Sequence, residues 1–304
     1  MTKARIALVV GIVCISIFPI LVKLNLTPGL ISAFYRMAIA SAVILPYVLI
    51  TNKFRLPSKK NIFLSMACGA IFGLDVAVWN IAIQESTATQ ATLLTNLSPV
   101  WVGIGAFIFL KDKPTKNFWI GTVIAIFGMV LLVGFNTFFN FNFNLAFYFG
   151  VLSGMLYAVY MLTSKNILNE TEVVSFITIS VVSSAIFLGI ISYFTGASFS
   201  GFSNLAWFVL IVQGLICQLT AWLLISYATK YMRATRVSVS LLGQAVLATL
   251  LAWLFLDEMV TLQMIIGGFF LIFGIRITFY QKQLSLKKVV LKRKLSKVEL
   301  IVKP

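Results

Sequence analysis

Two charged residues lie deep inside long apolar stretches of this 304-residue chain. Arg36 is about seven residues from one end of its stretch, and Asp75 is about eight residues from the corresponding end of the next stretch. If both stretches are α-helices, the two side chains lie at a similar depth, roughly 10–12 Å from the same boundary. A charge at the centre of a membrane helix costs at least ~2.5–3.5 kcal/mol, so its presence needs a physical reason.

The residue types leave three interpretations of these charges open. Arg36 could hold the carboxylate of a bound solute while Asp75 holds an amine or takes up a proton. The two residues could instead form a permanent ion pair that joins consecutive helices. Arg36 could also extend its long side chain to the membrane surface, an option that the shorter Asp75 lacks.

Further polar and aromatic residues recur at helical spacing in the neighbouring stretches, which places them on shared helix faces. Such side chains could hydrogen-bond neighbouring helices, at about 0.6 kcal/mol each, or could surround a cavity. Aromatic rings, amides and one pair of opposite charges suit a small amphipathic solute such as an amino acid, whereas a phosphate ester needs more cations. The predicted solute-binding residues are Lys23, Arg36, Asp75, Trp79, Asn96, Tyr157, Tyr160, Gln218, Trp222 and Gln244.

Composition indicates what must position these residues. Hydrophobic residues make up 60% of the chain and charged residues 11%, against about 45–50% and about 25% in soluble domains. The chain is therefore predicted to be an all-α integral membrane protein, with helices of about 20 apolar residues. Ten intervals qualify: 5–23, 29–51, 62–83, 89–110, 117–137, 145–164, 172–195, 205–228, 235–256 and 262–280.

The sequence also repeats itself. Residues 88–128 align without a gap with residues 234–274, at an offset of 146, and 12 of the 41 aligned positions are identical. The identities include Thr115 with Thr261 and Gly121 with Gly267. A repeat at fixed spacing predicts two copies of one structural unit, here residues 1–140 and 141–280.

Charge predicts how the two copies are oriented. With the N-terminus inside, 22 of the 24 Lys and Arg residues fall on the cytoplasmic side, as membrane proteins require. Both termini are then cytoplasmic, and since each copy has five spans the second copy is inverted, as in many secondary transporters. The net charge of +16 lies in short loops and in the basic tail 281–304. Membrane topology therefore explains this charge better than binding to nucleic acid. The tail could lie on anionic lipids, or it could be a solvated segment that helps to hold the orientation, which basic flanks commonly do.

Several classes of chemistry are excluded or disfavoured. The chain has no histidine, which removes Ser-His-Asp catalysis, and its three cysteines lie singly in apolar stretches, which argues against disulfides and metal sites. Intramembrane aspartyl catalysis needs two carboxylates, and only Asp75 lies deep. No GxxxxGK[ST] loop is present for ATP. We therefore expect neither an enzyme nor a cofactor.

Particular residues resemble the EamA-type transporters of the drug/metabolite transporter superfamily. They are Lys23 and Arg36 in FPILVKLNLTPGLISAFYRMAIASAVILP, the run Asn80 to Ile83 followed by Ala88-Thr89, Ser98-Pro99, and Leu256-Asp257-Glu258 with Thr261. The resemblance implies ten helices in two inverted five-helix repeats. It also implies a cavity between spans 1–4 and 6–9, with spans 5 and 10 peripheral.

The resemblance further implies a secondary transporter that works by alternating access in a bacterial inner membrane. Its expected cargo is a small amphipathic metabolite, with amino-acid export preferred and proton coupling possible. A passive facilitator or channel for a small neutral solute is the alternative. The protein is expected to work as a monomer or a homodimer.

Overall fold

The computed structural model describes residues 2–85, 94–111, 113–134, 145–256 and 259–280, and within these ranges every regular element is helical. The helices are α1 (Thr2–Ser16), α2 (Phe18–Lys23), α3 (Gly29–Ile50), α4 (Lys59–Glu85), α5 (Ser98–Phe109), α6 (Lys116–Val133), α7 (Leu145–Leu168), α8 (Val173–Phe194), α9 (Asn204–Val212), α10 (Ala221–Tyr231), α11 (Ala234–Leu241), α12 (Gly243–Leu256) and α13 (Leu262–Phe279). A π-helical segment, Gln213–Thr220, joins α9 to α10.

Nine helical stretches of the described chain are long and apolar enough to cross a membrane, so the protein is a multi-pass membrane protein. Each coincides with a predicted span, with ends that differ by at most four residues. The remaining predicted span, 89–110, corresponds to α5, an apolar helix of 12 residues. The start of that interval falls in 86–93, outside the described residues, as do 135–144 and the basic tail.

Within the part of the chain that the structure describes, four of the spans contain an interruption of the α-helix. The first breaks at Ile17, before Pro19, and the fourth breaks at Asn96 and Leu97, before Pro99. Proline cannot donate the backbone hydrogen bond of an α-helix interior, so each break falls where the ladder is lost. The ninth span breaks at Leu242, which is the repeat equivalent of Asn96, although no proline follows there. The eighth contains the π segment.

The repeat is visible in the helices themselves. Adding the sequence offset of 146 to the bounds of α6 gives the bounds of α13. Thr115 caps α6 by accepting a hydrogen bond from the Phe118 N–H, and Thr261 caps α13 in the same way from the Met264 N–H, both at 3.2 Å. The cap satisfies one of the N–H groups that a helix start leaves unpaired.

Packing joins the first half of the chain to the second. Helix α1 packs on α10, α3 on α8, α4 on α7 and α8, and α6 on α13. The main buried core lies among the spans other than α6 and α13. A smaller core, which contains Phe118, Met129 and Leu271, joins α6 and α13 to the ninth span.

Four glycines let α6 and α13 approach closely. A Cβ on Gly121 would lie 2.5 Å from the Gly274 carbonyl oxygen, and one on Gly128 would lie 2.6 Å from that of Gly267. Gly121 meets Gly274 and Gly128 meets Gly267, so later residues of α6 contact earlier residues of α13. The two helices therefore run antiparallel. Small residues at helix crossings allow such close backbone contact in membranes.

Replacing one of these glycines by alanine tests this contact. In Gly267→Ala the new Cβ would lie 2.4 Å from the backbone nitrogen of Leu132, so the helices must separate. We expect a loss of about 1–3 kcal/mol of stability, typical of overpacking, measured as thermal unfolding of the protein in detergent.

Gly268→Ala is the matched control, since its Cβ would meet the Val246 side chain at an ordinary 3.6 Å. It should be neutral or stabilising by up to about 1 kcal/mol, because alanine favours the helix. Equal destabilisation by the two changes would contradict the close crossing.

Candidate functional site

A cavity lies among the interrupted helices. Its water-accessible volume is about 110 Å³, several times the 10–15 Å³ that one water molecule needs. Residues on both sides of the breaks in the first, fourth and ninth spans face it. The lining residues are Ile15, Phe18, Arg36, Phe72, Asp75, Val76, Trp79, Thr95, Asn96, Ser98, Ser153, Tyr157, Trp222, Ser238, Leu241, Leu242 and Gln244.

Arg36 is held in the cavity wall by groups from the π segment. Its side chain is 3% exposed. The Nε–H donates to Gln218 Oε1 at 2.8 Å, and Nη2 lies 3.5 Å from the Cys217 carbonyl oxygen. The guanidinium carbon lies 4.1 Å from the centre of the Phe18 ring, which is cation–π geometry.

The π segment has the right geometry for this contact. A π-helix closes its backbone hydrogen bonds over five residues rather than four, and the Ala221 N–H here donates to the Ile216 carbonyl. Residues five apart are thereby brought toward one face. Ser32 and Arg36, four apart on α3, meet Gln213 and Gln218, five apart on the π segment, through bonds of 2.9 and 2.8 Å. One turn of α3 is thus matched to one wider turn of the π segment where the two helices pack together.

Asp75 has its own set of partners. Its side chain is 5% exposed, and its Oδ1 accepts a hydrogen bond of 2.6 Å from the Ser153 hydroxyl on α7. Ser153 in turn lies 3.3 Å from Thr95 Oγ1, just before the break in the fourth span. A neutral hydroxyl orients the carboxylate without cancelling its charge. Asp75 is therefore a fixed anionic or protonatable group in the wall of the cavity.

Arg36 and Asp75 line the same cavity, but they do not form a direct ion pair within 4.0 Å. Their described hydrogen bonds go to Gln218 and Cys217 in one case and to Ser153 in the other. Three guanidinium N–H groups and one carboxylate oxygen remain beyond those bonds, given the five donors of arginine. Two opposite charges can thus face one small molecule.

Aromatic rings form much of the remaining wall. The Trp222 ring centre lies 4.5 Å from that of Phe72 and 6.2 Å from that of Tyr157. Trp79 stacks on Phe18 with ring centres 5.1 Å apart. Asp75 precedes Trp79 by four residues and follows Phe72 by three, so one face of α4 presents ring, carboxylate and ring in order.

The structure brings seven of the ten predicted solute-binding residues to this cavity and places two elsewhere. Gln218 contacts Arg36 from behind the wall, and Tyr160 packs in the aromatic core, with ring centres 4.6 Å from Phe72 and 5.4 Å from Trp222. The side chain of Lys23, at the end of α2, lies outside the described residues. The seven are Arg36, Asp75, Trp79, Asn96, Tyr157, Trp222 and Gln244.

Other lining residues were not predicted to bind solute. Phe18 could have been found from its position next to Pro19, because a helix break exposes polar backbone and the side chains around it. Ser238 aligns in the repeat with Thr92, another hydroxyl residue of a predicted span, so the alignment could have indicated it. Ile15 and Leu241 carry no chemical signal and line the cavity through packing alone.

Comparisons with known proteins agree with this architecture. The EamA-like transporter family model matches residues 2–134 and 144–280, and the chain belongs to this family. An uncharacterized transporter of Bacillus subtilis, YdfC, is 24% identical over 252 residues, which cover 81% of this chain and 80% of YdfC. The S-adenosylmethionine uptake transporter of Rickettsia felis is 23% identical over 154 residues, 51% of each chain.

A solved crystal structure shares the fold. It aligns with a TM-score of 0.75 over 91% of this chain and 97% of its own length, at 14% sequence identity. The family and the helices together identify a membrane protein of a transporter family, which implies a small-molecule substrate.

The contact between Arg36 and Gln218 can be tested without a substrate. Gln218→Leu leaves a buried charged donor without its acceptor, which should lower stability by about 1–3 kcal/mol. Because replacing both partners removes that penalty, Arg36→Met should cost less in the Gln218→Leu background than in the native protein. Thermal unfolding of the four proteins in detergent gives the coupling.

Gln213→Leu is the matched control, on the same π segment but bonded to Ser32. It should show no such coupling with Arg36→Met. Additive effects in the Gln218 cycle would mean that the hydrogen bond contributes nothing to holding Arg36.

Proposed function

We propose that the protein is a secondary transporter that binds a small amphipathic metabolite, with an amino-acid-like head, in the central cavity. The main support is that Arg36 and Asp75 line one cavity, while Gln218 holds Arg36 and Ser153 holds Asp75. Guanidinium N–H groups bind a carboxylate through paired, charge-assisted hydrogen bonds. The free oxygen of Asp75 binds the ammonium group. The zwitterion then neutralises both buried charges at once.

The relatives support this class of cargo. Several related proteins of Rickettsia are named S-adenosylmethionine uptake transporters, and that molecule carries an amino-acid head with a carboxylate and an amine. The match covers about half of each chain and leaves the rest of the molecule open. Amino acids or related metabolites are the proposed cargo here, and export is the proposed direction from the family resemblance.

We propose that residues 1–140 and 141–280 form inverted repeats related by a two-fold axis in the membrane plane. Shifting each helix by the sequence offset turns the contact of α1 with α10 into that of α7 with α4, and both contacts are present. The glycine pair 121 and 274 becomes the pair 267 and 128, which is also present. The opposite directions of α6 and α13 support a two-fold axis perpendicular to these helices. The charge distribution supports both termini being cytoplasmic, in a bacterial inner membrane.

Alternating access between the halves would expose the cavity to each side in turn. Interrupted helices support it, because solute and ion sites of transporters are commonly built from discontinuous spans. At the end of the bundle proposed to be cytoplasmic, the Asn61 amide donates to Glu170 at 3.0 Å. The ammonium group of Lys230 there lies 3.5 Å from a Glu172 oxygen. These contacts would close that side and must open during transport.

Asp75 is also the proposed site of proton coupling, since protonation would release the ammonium group of the cargo and weaken its binding. The basic tail, 281–304, is proposed to contact anionic lipids. The chain would work as a monomer or a homodimer. No catalytic step and no cofactor is required.

Substitution of the two charges tests the function. We expect Arg36→Gln and Asp75→Asn each to lower the uptake or exchange of amino acids by proteoliposomes at least tenfold, the effect of losing ~1.4 kcal/mol of binding. A panel of amino acids, screened by thermal stabilisation of the native protein, selects the substrate.

Counterflow into liposomes preloaded with the selected substrate distinguishes a transporter from a channel, since only a transporter exchanges one molecule for another. Unchanged rates in both variants would remove the two residues from the site. Absence of counterflow would instead favour a passive pore.

The inverted topology has its own test. Single cysteines introduced as Lys113→Cys and Met259→Cys, in a background without the three native cysteines, occupy equivalent connections of the two copies. If the copies are inverted, a membrane-impermeant thiol reagent added to one side of oriented vesicles labels only one of the two cysteines, and the reagent added to the other side labels only the other. Labelling of both from one side would contradict the two-fold arrangement.

A further inference from the structure

Three hydrogen-bond donors on the cavity wall have no partner within the described part of the structure. They are the indole N–H groups of Trp79 and Trp222 and the hydroxyl of Tyr157. Trp222 is 4% exposed, so its N–H is also shielded from solvent. More than nine-tenths of buried polar groups are paired in native proteins. Eight buried side-chain polar atoms of the described residues lack a partner, and three of them border this one cavity, where a bound molecule could supply the acceptors.

Of the three, Trp79 stacks on Phe18, the ring over which the Arg36 guanidinium lies, so it borders the part of the cavity assigned to the amino-acid head. The donors of Trp222 and Tyr157 are not among the described hydrogen-bond partners of Arg36 and Asp75. Arg36 and Asp75 have described hydrogen-bond partners from the π segment and from α7. Trp222 and Tyr157 instead lie together in the aromatic part of the wall, with ring centres 6.2 Å apart and Phe72 4.5 Å from Trp222. The aromatic faces make this part of the wall mostly apolar, yet the Trp222 N–H and the Tyr157 hydroxyl in it still need hydrogen-bond acceptors.

An aliphatic side chain of the cargo would cover these rings but leave their donors unpaired. A plain benzene ring would do the same. A planar ring with nitrogen or carbonyl oxygen atoms at its edge would both stack among the aromatic rings and accept the hydrogen bonds. The tryptophan N–H can only donate, so the complementary atom on the cargo must be an acceptor.

We infer that the cargo carries, beyond its amino-acid head, a planar heteroaromatic or oxo-substituted ring whose acceptor atoms bind Trp222 and Tyr157. This inference rests on the proposed function and specifies its substrate class. Trp222 and Tyr157 are specificity-determining residues, whereas Arg36 and Asp75 bind the head that all cargo molecules share. A site built to hydrogen-bond a group strongly rejects the analogue that lacks it.

Matched pairs of ligands test the inference. L-Phenylalanine and 4-pyridyl-L-alanine differ by a ring CH replaced by an acceptor nitrogen, and L-tryptophan and 7-azatryptophan differ in the same way. Dissociation constants for the purified full-length protein are measured by calorimetry at neutral pH. The acceptor-bearing member of each pair should have a dissociation constant lower by about tenfold or more.

Conservative variants then locate the acceptor contact. Trp222→Phe and Tyr157→Phe keep an aromatic ring but remove the donor, so each should reduce the preference within a pair several-fold or abolish it. Trp101→Phe is the matched control. The indole N–H of Trp101 is also buried without a partner, but Trp101 does not line the cavity, so its removal should leave the preference unchanged.

The possible outcomes separate this inference from the proposed function. Equal binding within each pair, or an unchanged preference in Trp222→Phe and Tyr157→Phe, would overturn the heteroaromatic class while the amino-acid head stands. Binding of L-alanine but of neither ring compound would overturn it as well. If no amino acid of any kind binds, the proposed function itself fails, and the inference fails with it.

Discussion

The charge of Arg36 is the constraint on which the site depends. A guanidinium group buried among apolar helices is stable only when acceptors and aromatic faces replace its water. Here those groups come from Gln218, Cys217 and Phe18. Gln218 and Cys217 belong to the other half of the chain. Holding one cation in place therefore also holds the two halves in register along α3 and the π segment.

The two buried opposite charges, Arg36 and Asp75, do not pair with each other. A direct ion pair between Arg36 and Asp75 would have closed the cavity to charged ligands. Instead the π segment orients the cation, and Ser153 orients the carboxylate through a neutral hydroxyl. Preorganised charges of this kind lose little conformational freedom when a ligand binds. The proposed zwitterionic cargo would satisfy both charges, and the aromatic wall is proposed to select among such molecules.

Helical spacing predicted the cavity-lining residues well where a side chain is both unusual in hydrocarbon and on the inner face of its helix. Arg36, Asp75 and Trp79 met these conditions and line the cavity. Tyr160 met them too, but it lies three residues after Tyr157 and points to the core, because a helix face is wider than the opening that it borders. The polarity of Gln218 is visible in the sequence, but its hydrogen bond with Arg36 depends on how its helix packs against α3.

The sequence by itself determined the membrane class and the placement of nine spans, because these follow from apolar length and charge. Its motifs carried the resemblance to the family that the family model confirms. The glycines of α6 and α13 were visible as aligned identities before their contact was known. Only the tertiary structure decided that the helix at Gln213–Thr220 is π-helical and that Arg36 pairs with Gln218 rather than Asp75. It also decided which donors remain unpaired. Periodicity specifies which residues share a face, whereas the rotation and height of one helix against another arise from packing across residues far apart in the chain.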